Sequence, residues 1–289
     1  MAQQALKKVV LIGVHTVSSM ILRSSAMASG NLGSKILEAL QASPTGFHIT
    51  EALTKAFQGQ DAVVCTLGRT LNALQEPMVE AAAKAGIKRF IPSEYGQDLT
   101  DERTFEFVPK QFVTDKERNG AVERQGIYGS DMDSPCLTLE SLDFNWAERT
   151  FVDFDPEEPG NATTTTTQQV GRAIASILTN PETTVNRYVF IHSFVPTRKS
   201  LLDSLKALTP GEKWTTTTVL TTDMEKEHAE KSAKKDPAGG YILLKILSWK
   251  KGTTCGFALH KDENTLLGLP KEDMVEVMRS VLIPKQEAP

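Results

Sequence analysis

Residues 61–92 read DAVVCTLGRTLNALQEPMVEAAAKAGIKRFIP and contain the pattern that decides the fold. The apolar, β-branched run at 61–66 is typical of a strand buried on both faces of a parallel sheet. The alanine-rich run at 75–85 predicts a helix that Gly86 can end, and a second buried strand follows at 89–92. A strand, a helix and a strand joined by short connections predict a parallel sheet with a right-handed crossover.

The flanking sequence continues this alternation, so the chain is predicted to be an α/β protein. Upstream, residues 8–12 predict a first buried strand, 33–41 an amphipathic helix, and 47–49 the remnant of a second strand. The remaining predicted elements are strands at 187–192 and 214–220 and helices at 51–57, 170–178, 200–208, 223–234, 241–248 and 271–282.

The middle of the chain lacks a clear pattern. Residues 97–165 are polar and show no sustained period, and the threonine run at 163–167 favours a loop that leads into a helix. Thr166 and Gln169 have the spacing of a capping box, in which each side chain bonds the other residue's backbone N–H. The pair is therefore predicted to lie at the start of the helix at 170–178.

Length and composition exclude several classes of protein. The 289 residues suffice for one large domain or two joined ones. Lys and Arg number 32 against 36 Asp and Glu, a net charge of −4, which argues against a nucleic-acid partner. No apolar run approaches the roughly 20 residues that span a membrane, and the apolar run near the N-terminus is too short for a secretory signal. We therefore expect a soluble cytoplasmic protein without a membrane partner.

The cysteines and histidines do not predict a metal site. The three cysteines are widely spaced with no C-x-x-C pair, and the five histidines are scattered. His192 ends a predicted strand and could face a pocket, although a structural role is more typical. No G-x-S-x-G motif supports a hydrolase, and neither Tyr95 nor Tyr128 is followed by lysine four residues later, as in ordinary short-chain dehydrogenases.

A glycine turn before the first helix is the feature most closely tied to chemistry. Gly30-Asn31-Leu32-Gly33 opens the predicted helix at 33–41. Such a turn brings the backbone close to a pyrophosphate at the positive end of a helix. Gly13 ends the first strand, but residues 14–27 are inserted between it and the turn, and Met27 stands where a further glycine is usual.

Several motifs together resemble the NmrA-like, isoflavone-reductase-like family of atypical short-chain dehydrogenase/reductases, in its fungal form. They are ASGNLGSKILEAL (28–40), GQDAVVCTLG (59–68), AGIKRFIPSEYG (85–96), NRYVFIHSF (186–194) and NTLLGLPKEDM (264–274). The resemblance implies a doubly wound, Rossmann-like parallel sheet with a smaller C-terminal α+β substrate domain. We expect residues 1–150 to bind NAD(P) and residues 151–289 to bind substrate, with NADP(H) as the cofactor.

The resemblance also implies a cofactor site at the carboxyl ends of the strands, where open α/β sheets bind ligands. Glu94 and Tyr95 would border the substrate pocket. The cofactor-binding residues would be Gly13, Ser29, Gly30, Asn31, Leu32, Gly33, Thr66, Leu67, Gly68, Pro92 and Ser93.

The family's reductases use a lysine in a K-x-x-x-R-like helix to handle a proton. Lys110 takes that position here, whereas Thr114 stands where the arginine would be. A lysine near the cationic nicotinamide can have a lowered pKa, which suits acid–base catalysis. The alternative is an ordinary solvated lysine.

Three functions remain open from the sequence. The main one is an NADPH-dependent reductase of a small aromatic or phenolic carbonyl or enone. The second is a non-catalytic regulator that senses NAD(P) and works through a protein partner. The third is a family member that has lost nucleotide binding through the insertion at 14–27 and the loss of the end of the second strand after Ile49, changes also typical of altered exon boundaries.

Overall fold

The structure is a computed structural model that describes residues 8–13, 48–50, 57–66, 75–93, 95, 127–128, 142–236, 238–253 and 262–283. Its strands are β1 (Lys8–Gly13), β2 (His48–Thr50), β3 (Ala62–Thr66), β4 (Arg89–Ile91), β5 (Ile127–Tyr128), β6 (Phe144–Asn145), β7 (Thr150–Phe154), β8 (Val189–Phe190) and β9 (Thr215–Val219). Its helices are α1 (Gln75–Lys84), α2 (Thr167–Thr179), α3 (Arg198–Leu208), α4 (Thr221–Ala233), α5 (Ala238–Trp249) and α6 (Met274–Leu282), with a 3₁₀ turn at Pro181–Thr184. Among these elements, none is both long and apolar enough to cross a membrane.

The first sheet has the order β2-β1-β3-β4, and all its strands are parallel. Helix α1 connects β3 to β4, and Gly86 follows it at a φ of +73°, a conformation that glycine adopts without strain. The strand–helix–strand unit predicted from residues 61–92 is therefore confirmed.

Helices cover both faces of this sheet. Ala62 and Val64 pack with Ile174 and other residues of α2 on one face. Val63 and Cys65 pack on the opposite face with Val79 and Ala82 of α1. This is the doubly wound α/β arrangement that the sequence predicts.

The two ends of α2 show how β8 is oriented relative to β4. At the start of β4, Arg89 donates from Nη2 to the Pro181 carbonyl (2.5 Å) and from Nη1 to the Thr184 hydroxyl (3.0 Å), just beyond the C-terminus of α2. At the other end of α2, the Thr166 amide donates to the Ser193 hydroxyl (3.0 Å), just past β8. Strand β4 therefore begins near the C-terminus of α2 and β8 ends near its N-terminus, as expected for strands that run in the same direction. Strand β8 in turn pairs in parallel with β5.

A three-stranded sheet with the order β6-β7-β9 supports the C-terminal part of the chain. Strand β7 pairs antiparallel with β6 and parallel with β9. Its apolar side chains pack with α3, α5 and α6 in a core that includes Phe151, Leu205, Trp249 and Met278. The predicted division at residue 150 stays a prediction; β6, which precedes residue 150, pairs with β7, which begins at it.

The predictions for residues 187–192 and for the threonine run at 163–167 differ from the structure. Strand β8 covers two residues rather than 187–192, because the amide and carbonyl of His192 bond the Asn264 side chain instead of a neighbouring strand. The threonine run was predicted as a loop, yet Thr163 and Thr165 are buried. Within this segment, Thr164 forms an isolated antiparallel β-bridge with Phe194, and the segment then leads into α2.

Candidate functional site

The carboxyl ends of β1, β3 and β4 meet at one edge of the first sheet. Gly13 lies opposite Thr66 in the parallel register, and Val64 lies opposite Ile91. Pro92 and Ser93 continue directly from β4, so they leave the sheet at the same edge. The structure thus brings together four of the predicted cofactor-binding residues: Gly13, Thr66, Pro92 and Ser93.

Tyr95 is buried beneath this edge rather than exposed above it. Its side chain is 3% exposed, and its hydroxyl donates to the Cys65 carbonyl over 2.8 Å. The bond fastens the segment after β4 to the end of β3. Burial raises the pKa of the Cys65 thiol above its usual range, so this thiol stays protonated and unreactive.

The other predicted site residues lie outside the described residues. They are Lys110, proposed for proton handling; Glu94 of the substrate pocket; and Ser29, Gly30, Asn31, Leu32, Gly33, Leu67 and Gly68 of the cofactor site.

The chain resembles known proteins over most of its length. A family model described as NAD(P)H-binding matches residues 2–181. The chain belongs to this NAD(P)H-binding family. The described edge fits such a cofactor, since the small residue Gly13 ends β1 beside Thr66 at the place where these sheets bind nucleotides.

Individual relatives of this NAD(P)H-binding chain are oxidoreductases by name. The oxidoreductase aprR of Aspergillus flavus is 27% identical over 238 residues, which cover 80% of this chain and 80% of that protein. An isoflavone reductase of Cicer arietinum is 37% identical over 110 residues, 38% of this chain and 33% of that protein. The chain is therefore an isoflavone-reductase-like member of the family, as its motifs predicted.

A solved structure supports the fold independently. The binary complex of leucoanthocyanidin reductase and NADPH from Vitis vinifera superposes with a TM-score of 0.68 at 16% identity. The match covers 95% of this chain and 99% of that one. The Rossmann-like α/β class predicted from the sequence is confirmed.

The Glu272 carboxylate covers the N-terminus of α2, at the same edge of the molecule. Glu272 accepts hydrogen bonds at Oε2 from the hydroxyls of Thr166 (2.8 Å) and Ser193 (2.6 Å) and pairs at Oε1 with Arg172 (2.8 Å). Thr166 also accepts from the Gln169 amide (3.0 Å), as the capping-box spacing predicted. The positive end of this helix is thus already occupied by an anion.

We expect Glu272→Ala to lower the free energy of unfolding by about 1–3 kcal/mol, because two partly buried hydroxyls lose their charged acceptor. Urea denaturation followed by circular dichroism measures the change. Glu276→Ala is the control: that carboxylate is 69% exposed, on the next helix, and should change the free energy by less than about 0.5 kcal/mol. Equal effects of the two substitutions would contradict this interpretation.

The second core contains a buried arginine that could not be foreseen from the sequence. Arg198, 1% exposed, donates from Nη1 to the Leu142 carbonyl (2.7 Å) and from Nη2 to the Val152 carbonyl. Its guanidinium carbon lies 4.1 Å from the Phe151 ring centre and 4.7 Å from that of Trp249. Burial lowers the pKa of Arg198 to about 10, so it stays charged at neutral pH. Only the start of a helix marked this position in the sequence.

Asp143 partly balances that charge. Its carboxylate pairs at Oδ1 with Lys245 of α5, and it interacts electrostatically with Arg198. Burial raises the pKa of Asp143, while the hydrogen bond and the charge of Lys245 oppose the shift. The Asp143–Lys245 ion pair connects the residue before β6 to α5 and lies beside the second core.

Proposed function

We propose that the chain is an NADPH-dependent reductase of a small aromatic or phenolic carbonyl or enone, acting in the cytoplasm. The observation that carries this proposal is the meeting of Gly13, Thr66 and Ser93 at one sheet edge in a chain of the NAD(P)H-binding family. The relatives are named as oxidoreductases and reductases, which gives no support to the regulatory alternative.

The proposed cofactor site extends from the described edge into the glycine turn. Gly30 and Leu32 would face the pyrophosphate, Thr66 the adenine or ribose, and Ser93 the nicotinamide. The full proposed set is Gly13, Ser29, Gly30, Asn31, Leu32, Gly33, Thr66, Leu67, Gly68, Pro92 and Ser93. Residues 1–150 would form this cofactor-binding part and residues 151–289 the substrate-binding part.

The proposed chemistry divides between cofactor and protein. NADPH, when bound, supplies the hydride. Lys110 would deliver a proton to the substrate oxygen, and Glu94 would border the substrate. The Tyr95 hydroxyl is bonded to the Cys65 carbonyl. Tyr95 would therefore border this pocket with its backbone and position the neighbouring residues, while its hydroxyl stays away from the substrate.

The proposal predicts NADPH oxidation, followed at 340 nm, with a panel of aromatic aldehydes and enones. We expect Lys110→Ala to lower kcat by about 10²–10⁴-fold, the range typical of a lost acid–base group. Lys206→Ala, at an exposed position of α3, is the matched control and should leave kcat unchanged. Absence of turnover with every compound, or equal rates for Lys110→Ala and wild type, would refute the proposal.

A further inference from the structure

His192 lies at the same edge as the proposed cofactor site. It follows β8 by two residues, and β8 ends in the same direction as β4, near the N-terminus of α2. Strand β8 shares the core on α2 with β1, β3 and β4, so its end places His192 on the same side of the molecule as Gly13, Thr66 and Ser93. This histidine takes no part in the hydride or proton transfer proposed above.

The side chain of His192 points away from the core on α2. Val189 and Ile191 are buried in that core. Because side chains alternate along an extended chain, His192 lies on the opposite face. Its side chain is 20% exposed, so it borders solvent without projecting freely into it.

The backbone of His192 is held at both of its polar groups. Its amide donates to Oδ1 of Asn264 (3.2 Å), and its carbonyl accepts from Nδ2 of the same side chain (2.7 Å). Two residues before His192, the Phe190 carbonyl accepts from the Glu263 amide (2.9 Å), and the Phe190 amide donates to the Glu263 carboxylate (2.9 Å). This double attachment fixes the place from which the imidazole projects.

Asp262 orients the imidazole ring. Its Oδ1 lies 3.4 Å from the buried Nδ1 of His192, which makes no hydrogen bond of standard geometry to any residue that the structure describes. The contact is therefore a long electrostatic one, and we assign the proton to Nδ1 because it faces a carboxylate. Within the described part of the chain, no group hydrogen-bonds to Nε2. In the neutral ring, Nε2 is then an acceptor.

We propose that Nε2 of His192 accepts a hydrogen bond from a hydroxyl group on the substrate, with Asp262 as the positioning residue. The inference rests on the proposed reductase function and narrows its substrates to hydroxylated aromatic compounds. A site that bonds a substrate hydroxyl discriminates strongly against the analogue that lacks it, because its polar atom is then left without a partner.

The kinetic test compares 4-hydroxybenzaldehyde with benzaldehyde, and other panel pairs that differ only in a phenolic hydroxyl. We expect wild type to favour the hydroxylated member by about tenfold or more in kcat/KM, mainly through KM. His192→Phe should bring the ratio to about one, chiefly by raising KM for the hydroxylated member. Asp262→Asn should lower the ratio part of the way, because the amide can also stabilise the other tautomer.

His228→Gln is the matched control, since this histidine of α4 bonds the Gly239 carbonyl (2.8 Å) and should leave the ratio unchanged. A second readout does not need turnover. In ¹⁵N-histidine-labelled protein with NADP⁺, 4-hydroxybenzaldehyde should shift the Nε2 resonance of His192, and benzaldehyde should not.

The outcomes separate the two proposals. Turnover with an unchanged ratio in His192→Phe, or equal shifts with both aldehydes, would overturn the role of His192 and leave the reductase standing. Absence of turnover together with a hydroxyl-dependent shift would refute the reductase but not the binding role of His192.

Discussion

Gly160→Ala is expected to destabilise the protein severely. A Cβ at this position would lie 2.2 Å from the carbonyl oxygen of Trp249 and 2.8 Å from its carbonyl carbon. Both atoms belong to the backbone at the end of α5. Directly beside them, Pro159 and Lys250 pair in an antiparallel β-bridge. Backbone cannot step aside as a flexible side chain can, so we expect a loss of at least about 3 kcal/mol.

Thermal unfolding measures this effect, which corresponds to a fall in Tm of roughly 6 °C or more for a chain of this size. Gly239→Ala is the control. Its Cβ would first meet the Ser232 hydroxyl at 3.0 Å, a side-chain atom that can rotate away. Because alanine also favours the helix, the control should stay within about 1 kcal/mol of wild type. A Tm for Gly160→Ala that matches wild type would show that the two segments are farther apart.

Arg198→Ala should have the second large effect. The substitution leaves the Leu142 and Val152 carbonyls without their donor. It also empties the space between the Phe151 and Trp249 rings. Losing one partner of a buried, charged network typically costs about 3–5 kcal/mol. Urea denaturation with tryptophan fluorescence would measure the change.

The charge-preserving variant separates geometry from charge. Arg198→Lys keeps the cation but lacks the planar fork that reaches both carbonyls, so we expect a loss of about 1–3 kcal/mol. The neighbouring Lys199→Ala is the control, because this side chain is 83% exposed and forms a surface ion pair with Asp203. Its effect should be below about 1 kcal/mol. Equal stability of Arg198→Ala and Lys199→Ala would contradict a structural role for the buried cation.

The parallel sheet could be predicted because its signals are local. Strands β1, β3 and β4 are short β-branched runs, and α1 is an alanine-rich segment that ends before Gly86. Each of these patterns is complete within a dozen residues, so composition and periodicity suffice. The family resemblance then predicted that these strands and helices form a doubly wound, Rossmann-like sheet.

The second core could not be predicted, because its contacts are distant in sequence. Arg198 bonds carbonyls 56 and 46 residues earlier in the chain. The capping pair shows the same limit. Thr166 bonds the Gln169 amide three residues on, as predicted, whereas the Gln169 side chain donates to the Pro270 carbonyl 101 residues away (2.8 Å). A spacing rule captures the first contact and cannot capture the second.

The candidate site was predictable in part. The sequence placed Gly13, Thr66 and Ser93 at strand ends, and the register brings those ends to one edge. It did not reveal that the Tyr95 hydroxyl bonds the Cys65 carbonyl or that Asp262 faces His192. Both facts depend on how loops pack over the sheet, which no periodic pattern records.

A titration of the full chain with NADPH is the most direct test of cofactor binding at this edge. The three tryptophans, at 146, 214 and 249, supply fluorescence that reduced nicotinamide can accept by energy transfer. We predict a saturable signal, half-complete well below about 1 mM NADPH, the upper end of ordinary cofactor and substrate affinities. A signal that stays flat throughout this range would contradict the assignment of a cofactor site to Gly13, Thr66 and Ser93.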